Sequence, residues 1–279
     1  MRRRSSFLLV LLVVLLCGPT LPARQHSLAA VAYTMRFPAP DTHRAEIDAR
    51  IPTDGRSTLD LMLPVWSPGY YRVEDYAAKV SDFHAETPAH EALAVTKPGE
   101  NHWVVTTGGA PFVDVSYSLA CERQFVTGCW VGQDYAVING PSTFVAPADH
   151  AVRPYDLRLD LPPAWTDSIT SMIPTEGASN RYSAPNYDVF IDSPIVMGSI
   201  GTHEFTVCGA QHILADFGEP GAWNGAAAAD ALKRIVNEHC RLMGGLPFAR
   251  YVFLNAFRRG AGGLEHLNSS LLSSTPNPT

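Results

Sequence analysis

The sequence lacks the short motifs that most often identify a catalytic centre. It has no Gly-x-Ser-x-Gly turn for a serine nucleophile, no glycine-rich phosphate loop and no Cys-x-x-Cys pair for zinc. Charged residues are scarce at 17%, whereas hydrophobic residues make up 46%. This balance excludes a disordered chain, and the net charge of -6 argues against a nucleic-acid partner.

The N-terminus has the pattern of a secretory signal peptide. Three arginines at positions 2–4 precede an unbroken apolar run from Phe7 to Leu16, and Ala23 offers a small residue for cleavage. An uncleaved anchor is the alternative, but the run is short for a bilayer. We therefore expect residues 1–23 to be removed. No later segment is long and apolar enough to cross a membrane, so we expect a periplasmic or extracellular protein without membrane contact.

Four cysteines remain after this cleavage, namely Cys121, Cys129, Cys208 and Cys240. Export permits disulfides, and four cysteines allow three pairings. Cys121 and Cys129 flank a short loop that a hairpin could close, so this pair is favoured. Four buried free thiols are the alternative.

Residues 24–199 are predicted to form a β-rich, sandwich-like N-terminal domain. Short apolar or alternating segments are separated by glycine- and proline-containing turns, and no long amphipathic helix is evident. The strand candidates are Ala45 to Ile51, Thr58 to Val65, His102 to Thr107, Val113 to Leu119 and Leu157 to Leu161.

Residues 200–279 have a different character and are predicted to begin an α+β domain. A strand is expected from His203 to Phe217, and a helix from Ala222 to Met243 whose apolar stripe includes His239 as a core histidine. Further strands are expected from Tyr251 to Phe257 and from Gly262 to Leu272. About eighty residues are few for an independent core, so we expect this domain to be incomplete.

The segment from Gly260 to His266 is the strongest candidate for a binding site. Gly262 and Gly263 permit another backbone to approach, and Glu265 and His266 follow on opposite faces of a strand. Such an edge strand can hold an extended peptide, with Glu265 pairing to its α-ammonium group. On physical grounds alone, a glycine-rich turn with a solvated glutamate is the preferred interpretation.

Three separated motifs resemble one known family. The segments are Trp66 to Tyr76, Asp192-Ser193-Pro194-Ile195 with Gly198 after it, and Gly262-Gly263-Leu264-Glu265-His266 preceded by the stretch from Pro247 to Leu254. In this order they are similar to the glycyl aminopeptidase family of zinc metallopeptidases, which typically combines a β-domain, a thermolysin-like catalytic domain and a PDZ domain. The resemblance covers most of the chain after the signal peptide.

The resemblance implies roles for the residues of the third motif. In the family this strand lines the substrate cleft, so Glu265 is expected to bind the amino terminus of a peptide, with Gly262 and Gly263 as backbone partners. His266 stands where related enzymes have asparagine and receives no firm role. The expected partner is a peptide with a free N-terminus.

The chain departs from the family in its metal site. Zinc in such enzymes is held by His-Glu-x-x-His on a helix. His90-Glu91 and His203-Glu204 begin this motif, but neither is followed by the second histidine. We therefore expect an N-terminal portion of a zinc aminopeptidase that binds no metal and has no peptidase activity by itself. A non-catalytic exported peptide-binding module and an idle fragment are the alternatives.

The aromatic segment from Trp66 to Tyr76 has two interpretations. It could form a wall of the substrate cleft, or its rings could pack beneath a loop as most large aromatic side chains do. The second interpretation is favoured by the sequence.

Overall fold

The computed structural model describes residues 28–149, 151–219, 221, 223–258 and 261–275. These residues form twenty strands in four sheets, together with two α-helices. The β-rich fold predicted from the sequence is confirmed. The expected signal peptide, residues 1–23, lies outside the described residues.

The largest sheet has seven strands. They are β1 (Val31–Arg36), β2 (Arg44–Pro52), β4 (Val80–Glu86), β7 (Phe112–Ala120), β11 (Tyr155–Asp160), β13 (Ile173–Pro174) and β14 (Arg181–Ala184). Their order across the sheet is β13-β14-β11-β1-β2-β7-β4. Neighbours are antiparallel except β1 and β11, which run parallel from Val31 opposite Tyr155.

Two four-stranded sheets accompany it. The first contains β3 (Thr58–Met62), β5 (Val95–Gly99), β6 (His102–Thr106) and β10 (Ala146–Pro147) in the order β10-β3-β6-β5. The second contains β8 (Trp130–Val131), β9 (Tyr135–Ile138), β12 (Asp167–Thr170) and β15 (Ile195–Gly198) in the order β12-β15-β9-β8. Short 3₁₀ helices occupy Pro40–Thr42, Tyr76–Lys79 and Gly140–Ser142, and the five-residue helix α1 covers Tyr187–Ile191.

The main core lies between the seven-stranded sheet and its neighbours. Strand β2 buries every second residue, Ala45, Ile47, Ala49 and Ile51, because alternate side chains of a strand share one face. Across the core, the ring of Phe83 on β4 stacks on Trp103 of β6 with centroids 5.0 Å apart. The two sheets are therefore packed face to face, as a sandwich-like arrangement predicts.

The last sheet has five strands, and one long helix packs on it. It contains β16 (Gly201–Val207), β17 (Ala210–Gly218), β18 (Arg250–Phe257), β19 (Gly262–Glu265) and β20 (Ser269–Ser274), in the order β16-β17-β18-β20-β19. Helix α2 (Gly225–Met243) connects the parallel strands β17 and β18. One face of the sheet packs on Val137, Ile169 and Val196 of the second four-stranded sheet. The opposite face carries α2, which lies over β16 and β17.

Helix α2 confirms the predicted helix, with a corrected apolar face. Asn224 caps its first turn by accepting a hydrogen bond from the Ala227 N–H at 3.0 Å, and Gly244 ends it with φ 76°. The buried stripe contains Ala229, Val236 and Cys240, whereas His239 is exposed. The interpretation of His239 as a core histidine is therefore wrong. No helix of the described segments is long and apolar enough to cross a membrane.

Two predicted strands are in fact hairpins. The segment from His203 to Phe217 folds back at Cys208 and Gly209, which have φ values of 49° and 79°. Positive φ at both central residues is the requirement of a type I′ turn. The segment from Gly262 to Leu272 also folds back, at Leu267 and Asn268, because β19 and β20 pair antiparallel with Glu265 opposite Ser270.

The predicted disulfide is also corrected. Cys208 is bonded to Cys240, because α2 packs on β16 and brings the end of the helix beside the β16–β17 turn. Cys121 and Cys129 are free, buried thiols. Burial alone would raise the pKa of the Cys129 thiol, but hydrogen bonds with Cys121, Ser142 and Thr143 lower this pKa to about 7.

Candidate functional site

Strand β19 is the free edge of the five-stranded sheet and carries the Gly-Gly-Leu-Glu-His motif. Its side chains follow the alternation of a strand: Leu264 is 5% exposed, Glu265 is exposed, and the His266 imidazole is only 4% exposed. Glu265 therefore lies on one face of the sheet, and Leu264 and His266 lie on the other.

The backbone of β19 presents hydrogen-bonding groups to its open side. The His266 N–H donates to the Ser269 carbonyl at 2.8 Å, which fixes the phase of the ladder with β20. In an antiparallel pair, hydrogen-bonded residues alternate with residues whose N–H and C=O point away. Gly263 and Glu265 are the two that point away, so their backbone groups face the free edge. A second strand could pair with Gly263 there, whereas the turn at Gly69 lies beside the Glu265 carbonyl oxygen.

The face that carries Glu265 is only partly covered. Glu265 lies opposite Ser270 on β20, which in turn lies opposite Phe253 on β18, so the three side chains share that face. Helix α2 covers β16 and β17 and leaves Glu265 exposed. The carboxylate thus stands on an open part of the sheet.

Tyr251 of β18 is a neighbour of this carboxylate to which no motif assigns a role. Its hydroxyl hydrogen bonds with Ser270, and burial raises the pKa of that hydroxyl. The negative charges of Glu265 and Asp192 raise the same pKa further. Its ring lies 4.9 Å from Phe253 and 5.0 Å from Phe248 between centroids. Glu265 therefore lies near a row of three aromatic rings, of which the central one, Tyr251, carries a hydroxyl group.

His266 is bound by Asp192, the first residue of the second motif. The Asp192 Oδ1 atom lies 2.8 Å from His266 Nδ1, and Oδ2 accepts a hydrogen bond from the Leu267 N–H at 2.8 Å. Both side chains are largely buried, with exposures of 4% for His266 and 15% for Asp192. The second and third motifs are thus joined directly, although 74 residues separate them in the chain.

The first motif also reaches β19. A Cβ atom placed on Gly69 would lie 3.0 Å from Leu264 Cδ1 and 3.6 Å from the Glu265 carbonyl oxygen. The turn at Pro68-Gly69 therefore lies directly against the strand. Trp66 is 55% exposed and Tyr71 is 96% exposed, so the expectation that these rings pack beneath a loop is wrong for both. Tyr76 at the end of the segment is buried and hydrogen bonded to Ser67 at 2.8 Å.

A groove opens beside this contact. It has a volume of about 520 Å³ and is lined by residues of the first motif, of α1 and of the β19–β20 turn, among them Trp66, Pro68, Ile191, Asp192 and Leu267. Most of its surface is apolar, and Leu267 is 62% exposed at its border. The three motifs therefore surround one end of the edge strand.

The match to a known family covers more than half of the chain. The family described as Peptidase M61 N-terminal domain matches residues 32–199. The chain belongs to this family. A comparison with curated proteins found no match.

Solved structures support the same relationship. An aminopeptidase N family protein from Idiomarina loihiensis is 27% identical to the chain with a TM-score of 0.81, and the match covers 88% of this chain and 42% of that one. An M1 zinc metallopeptidase from Deinococcus radiodurans is 13% identical with a TM-score of 0.53, covering 90% of this chain and 61% of that one. A variant of that metallopeptidase is solved with a Tyr-Ser-Ala substrate. The second likeness shows the fold alone.

The chain spans 42% of the length of the first of these structures and 61% of the second. The zinc named for the metallopeptidase has no matching set of ligands in the part of this chain that the structure describes, where no three His, Cys, Asp or Glu side chains are grouped to hold a metal ion. Asp192 already accepts two hydrogen bonds from the chain, and Glu265 lies on the face opposite His266. No step that involves zinc is therefore assigned to these residues.

Proposed function

We propose that the chain supplies the substrate-binding part of an aminopeptidase, and that it binds an extended peptide through the amino terminus. The observation that supports this function best is the free edge of β19. Gly263 and Glu265 present backbone groups there that have no hydrogen-bond partner among the described residues, and the Glu265 carboxylate stands exposed beside them. Family membership supports a role in peptide hydrolysis.

Each part of the arrangement suits one part of such a peptide. The peptide backbone can extend the sheet by pairing with β19, as in other cases of strand addition. The positively charged α-ammonium group can then pair with the Glu265 carboxylate through charge-assisted hydrogen bonds. Gly262 and Gly263 have no side chains, so the peptide can approach closely at that end of the strand.

Cleavage is expected to need zinc ligands that the sequence does not contain, since no His-Glu-x-x-His motif is present. We therefore propose that this chain by itself binds peptides without hydrolysing them, and that a zinc-bearing helix completes the longer protein. Export is part of the proposal, and the disulfide between Cys208 and Cys240 supports it, because such bonds persist in oxidising compartments.

The test compares two peptides that differ only at the amino terminus, Gly-Ala-Ala and N-acetyl-Gly-Ala-Ala, by NMR titration of the folded protein. We expect tighter binding of the free amine, and Glu265→Gln should weaken that binding about 10- to 100-fold, the effect of a hydrogen bond between charged groups. Glu100→Gln removes a charge from an exposed loop and should change nothing. Equal affinity for the two peptides in the wild-type protein would contradict the proposed function.

A further inference from the structure

Asp192 forms hydrogen bonds with both of the residues that directly follow Glu265, namely His266 and Leu267. One carboxylate accepts from the His266 side chain and from the Leu267 backbone, both at 2.8 Å. On the opposite side, the His266 N–H donates to Ser269 at 2.8 Å. The turn is therefore fixed from two directions directly after the residue proposed to meet the peptide.

The chemistry of the pair fixes the orientation of the imidazole ring. An ionised carboxylate can only accept hydrogen bonds, so Nδ1 of His266 must carry the donated proton. In the neutral ring this leaves Nε2 as an acceptor. Nε2 is buried and has no hydrogen-bond partner among the described residues. A buried acceptor without a partner lowers stability, so packing alone gives no reason for an imidazole here, and its contribution lies in the Nδ1 donor.

The other end of β19 is less constrained. Gly262 and Gly263 have no side chains to pack, and glycine loses more conformational freedom on ordering than any other residue. Besides the ladder with β20, the position of the Glu265 carboxylate therefore depends on Leu264, which lies against Gly69, and on the turn that Asp192 holds.

We propose that Asp192 is a positioning residue for peptide recognition: acting through His266 and the Leu267 N–H, it fixes the Glu265 carboxylate and the free edge of β19 in the arrangement that accepts an α-ammonium group. This inference rests on the proposed function. The inference can be tested through the preference for a peptide with a free amine over an acetylated peptide, because that preference depends on the position of the Glu265 carboxylate.

The experiment measures the ratio of affinities for Gly-Ala-Ala and N-acetyl-Gly-Ala-Ala in matched variants. An asparagine at position 192 has one carbonyl oxygen and can keep only one of the two hydrogen bonds. Asp192→Asn should therefore lower the ratio about fivefold or more, the scale of one lost preorganising interaction. Asp188→Asn removes the same charge from an exposed carboxylate that lines the same groove, and should leave the ratio unchanged.

Two substitutions at His266 separate positioning from packing. His266→Asn retains a side-chain N–H close to the place of Nδ1, so it should keep the ratio. His266→Ala removes the donor and should lower the ratio as Asp192→Asn does. The Leu267 amide proton, followed by NMR, should shift upfield in Asp192→Asn, because at most one neutral carbonyl oxygen replaces the carboxylate, and should stay in place in Asp188→Asn.

The outcomes are distinct. A wild-type protein that binds both peptides equally overturns the proposed function and this inference with it. If the wild-type protein prefers the free amine, but Asp192→Asn and His266→Ala both keep the wild-type ratio, the inference alone is overturned. If Asp192→Asn does not fold, the comparison of His266→Asn with His266→Ala decides: equal ratios in the two variants refute the positioning role.

Discussion

Gly69 lies directly against Leu264, so that a Cβ atom on Gly69 would stand 3.0 Å from Leu264 Cδ1. This contact joins the Trp66–Tyr76 segment to the edge strand β19. Gly69 also has φ 76°, a conformation that side chains rarely adopt. Both the backbone and the neighbouring leucine therefore favour glycine at this position.

Gly69→Ala is expected to destabilise the protein more than Gly55→Ala. Gly55 has a matching φ of 77°, but a Cβ there would meet nothing within 4 Å. Each alanine costs about 1–2 kcal/mol for the left-handed backbone. Gly69→Ala should cost about 0.5–1.5 kcal/mol more, because Leu264 must leave its rotamer. Urea unfolding measures both, and equal losses would mean that the contact with Leu264 contributes nothing.

Arg250→Met is expected to loosen the five-stranded sheet from the strands beneath it. Arg250 Nη1 donates to the Thr170 carbonyl at 2.6 Å and to the Met172 carbonyl at 3.3 Å. Because methionine has no donor, both carbonyls lose this partner, and the free energy of unfolding should fall by about 1.5–3 kcal/mol. Arg241→Met removes an exposed arginine paired with Glu238 on α2 and should change it by less than about 0.5 kcal/mol. Similar losses in the two variants would contradict a bridging role for Arg250.

Peptide mapping without reductant should recover Cys208 linked to Cys240, and should recover Cys121 and Cys129 as free thiols. Reduction should lower the free energy of unfolding by about 3–4 kcal/mol, the entropy of closing a loop of this length, since 32 residues separate the two cysteines. The double variant Cys208→Ala/Cys240→Ala should not respond to reductant. Recovery of a Cys121–Cys129 linked peptide would overturn this assignment.

His212 should make the protein less stable in mild acid. The ring is buried, stacks on Phe205 with centroids 5.0 Å apart, and burial lowers the pKa of the imidazole. As the pH falls below about 6.5, the unfolded chain takes up a proton that the folded protein does not yet accept. The contribution of the neutral His212 to stability is therefore fully present above that pH, and it is lost progressively as the pH falls below it.

The measurement is urea unfolding at several pH values between 7.5 and 5.0. His212→Phe keeps a planar ring that does not titrate, so its stability should fall by about 1 kcal/mol less than that of the wild type over this range. His239→Gln replaces an exposed histidine of α2 and should follow the wild-type curve. Parallel curves for His212→Phe and the wild type would show that His212 does not contribute.

The sequence predicted the broad architecture because alternation and turns are local signals. Strand β2 and helix α2 were both evident from the periodicity of their apolar residues. The hairpin at Cys208-Gly209 was missed because a cysteine with positive φ is rare, and Gly209 alone is a weak signal for a turn. The pairing of Cys208 with Cys240 depends on how α2 packs on β16, which spacing along the chain does not reveal.

Some features of the candidate site could also be predicted from the sequence, whereas others could not. The glycines and Glu265 could be recognised from one contiguous motif. The contact between Asp192 and His266 joins residues that are 74 positions apart, and the neighbourhood of Tyr251 and Glu265 depends on the register of β18, β20 and β19. Such relationships arise from tertiary structure and leave no periodic trace in the sequence.

The location of Gly69 and Asp192 earlier in the chain than β19 determines the order in which this region can form during synthesis. The turn at Gly69 and the carboxylate of Asp192 leave the ribosome before the Gly-Gly-Leu-Glu-His segment does, and domains generally fold in that direction. The edge strand can therefore dock on a template that already exists. A nascent chain that misplaces either residue would leave Leu264 and His266 of β19 without their packing and hydrogen-bond partners.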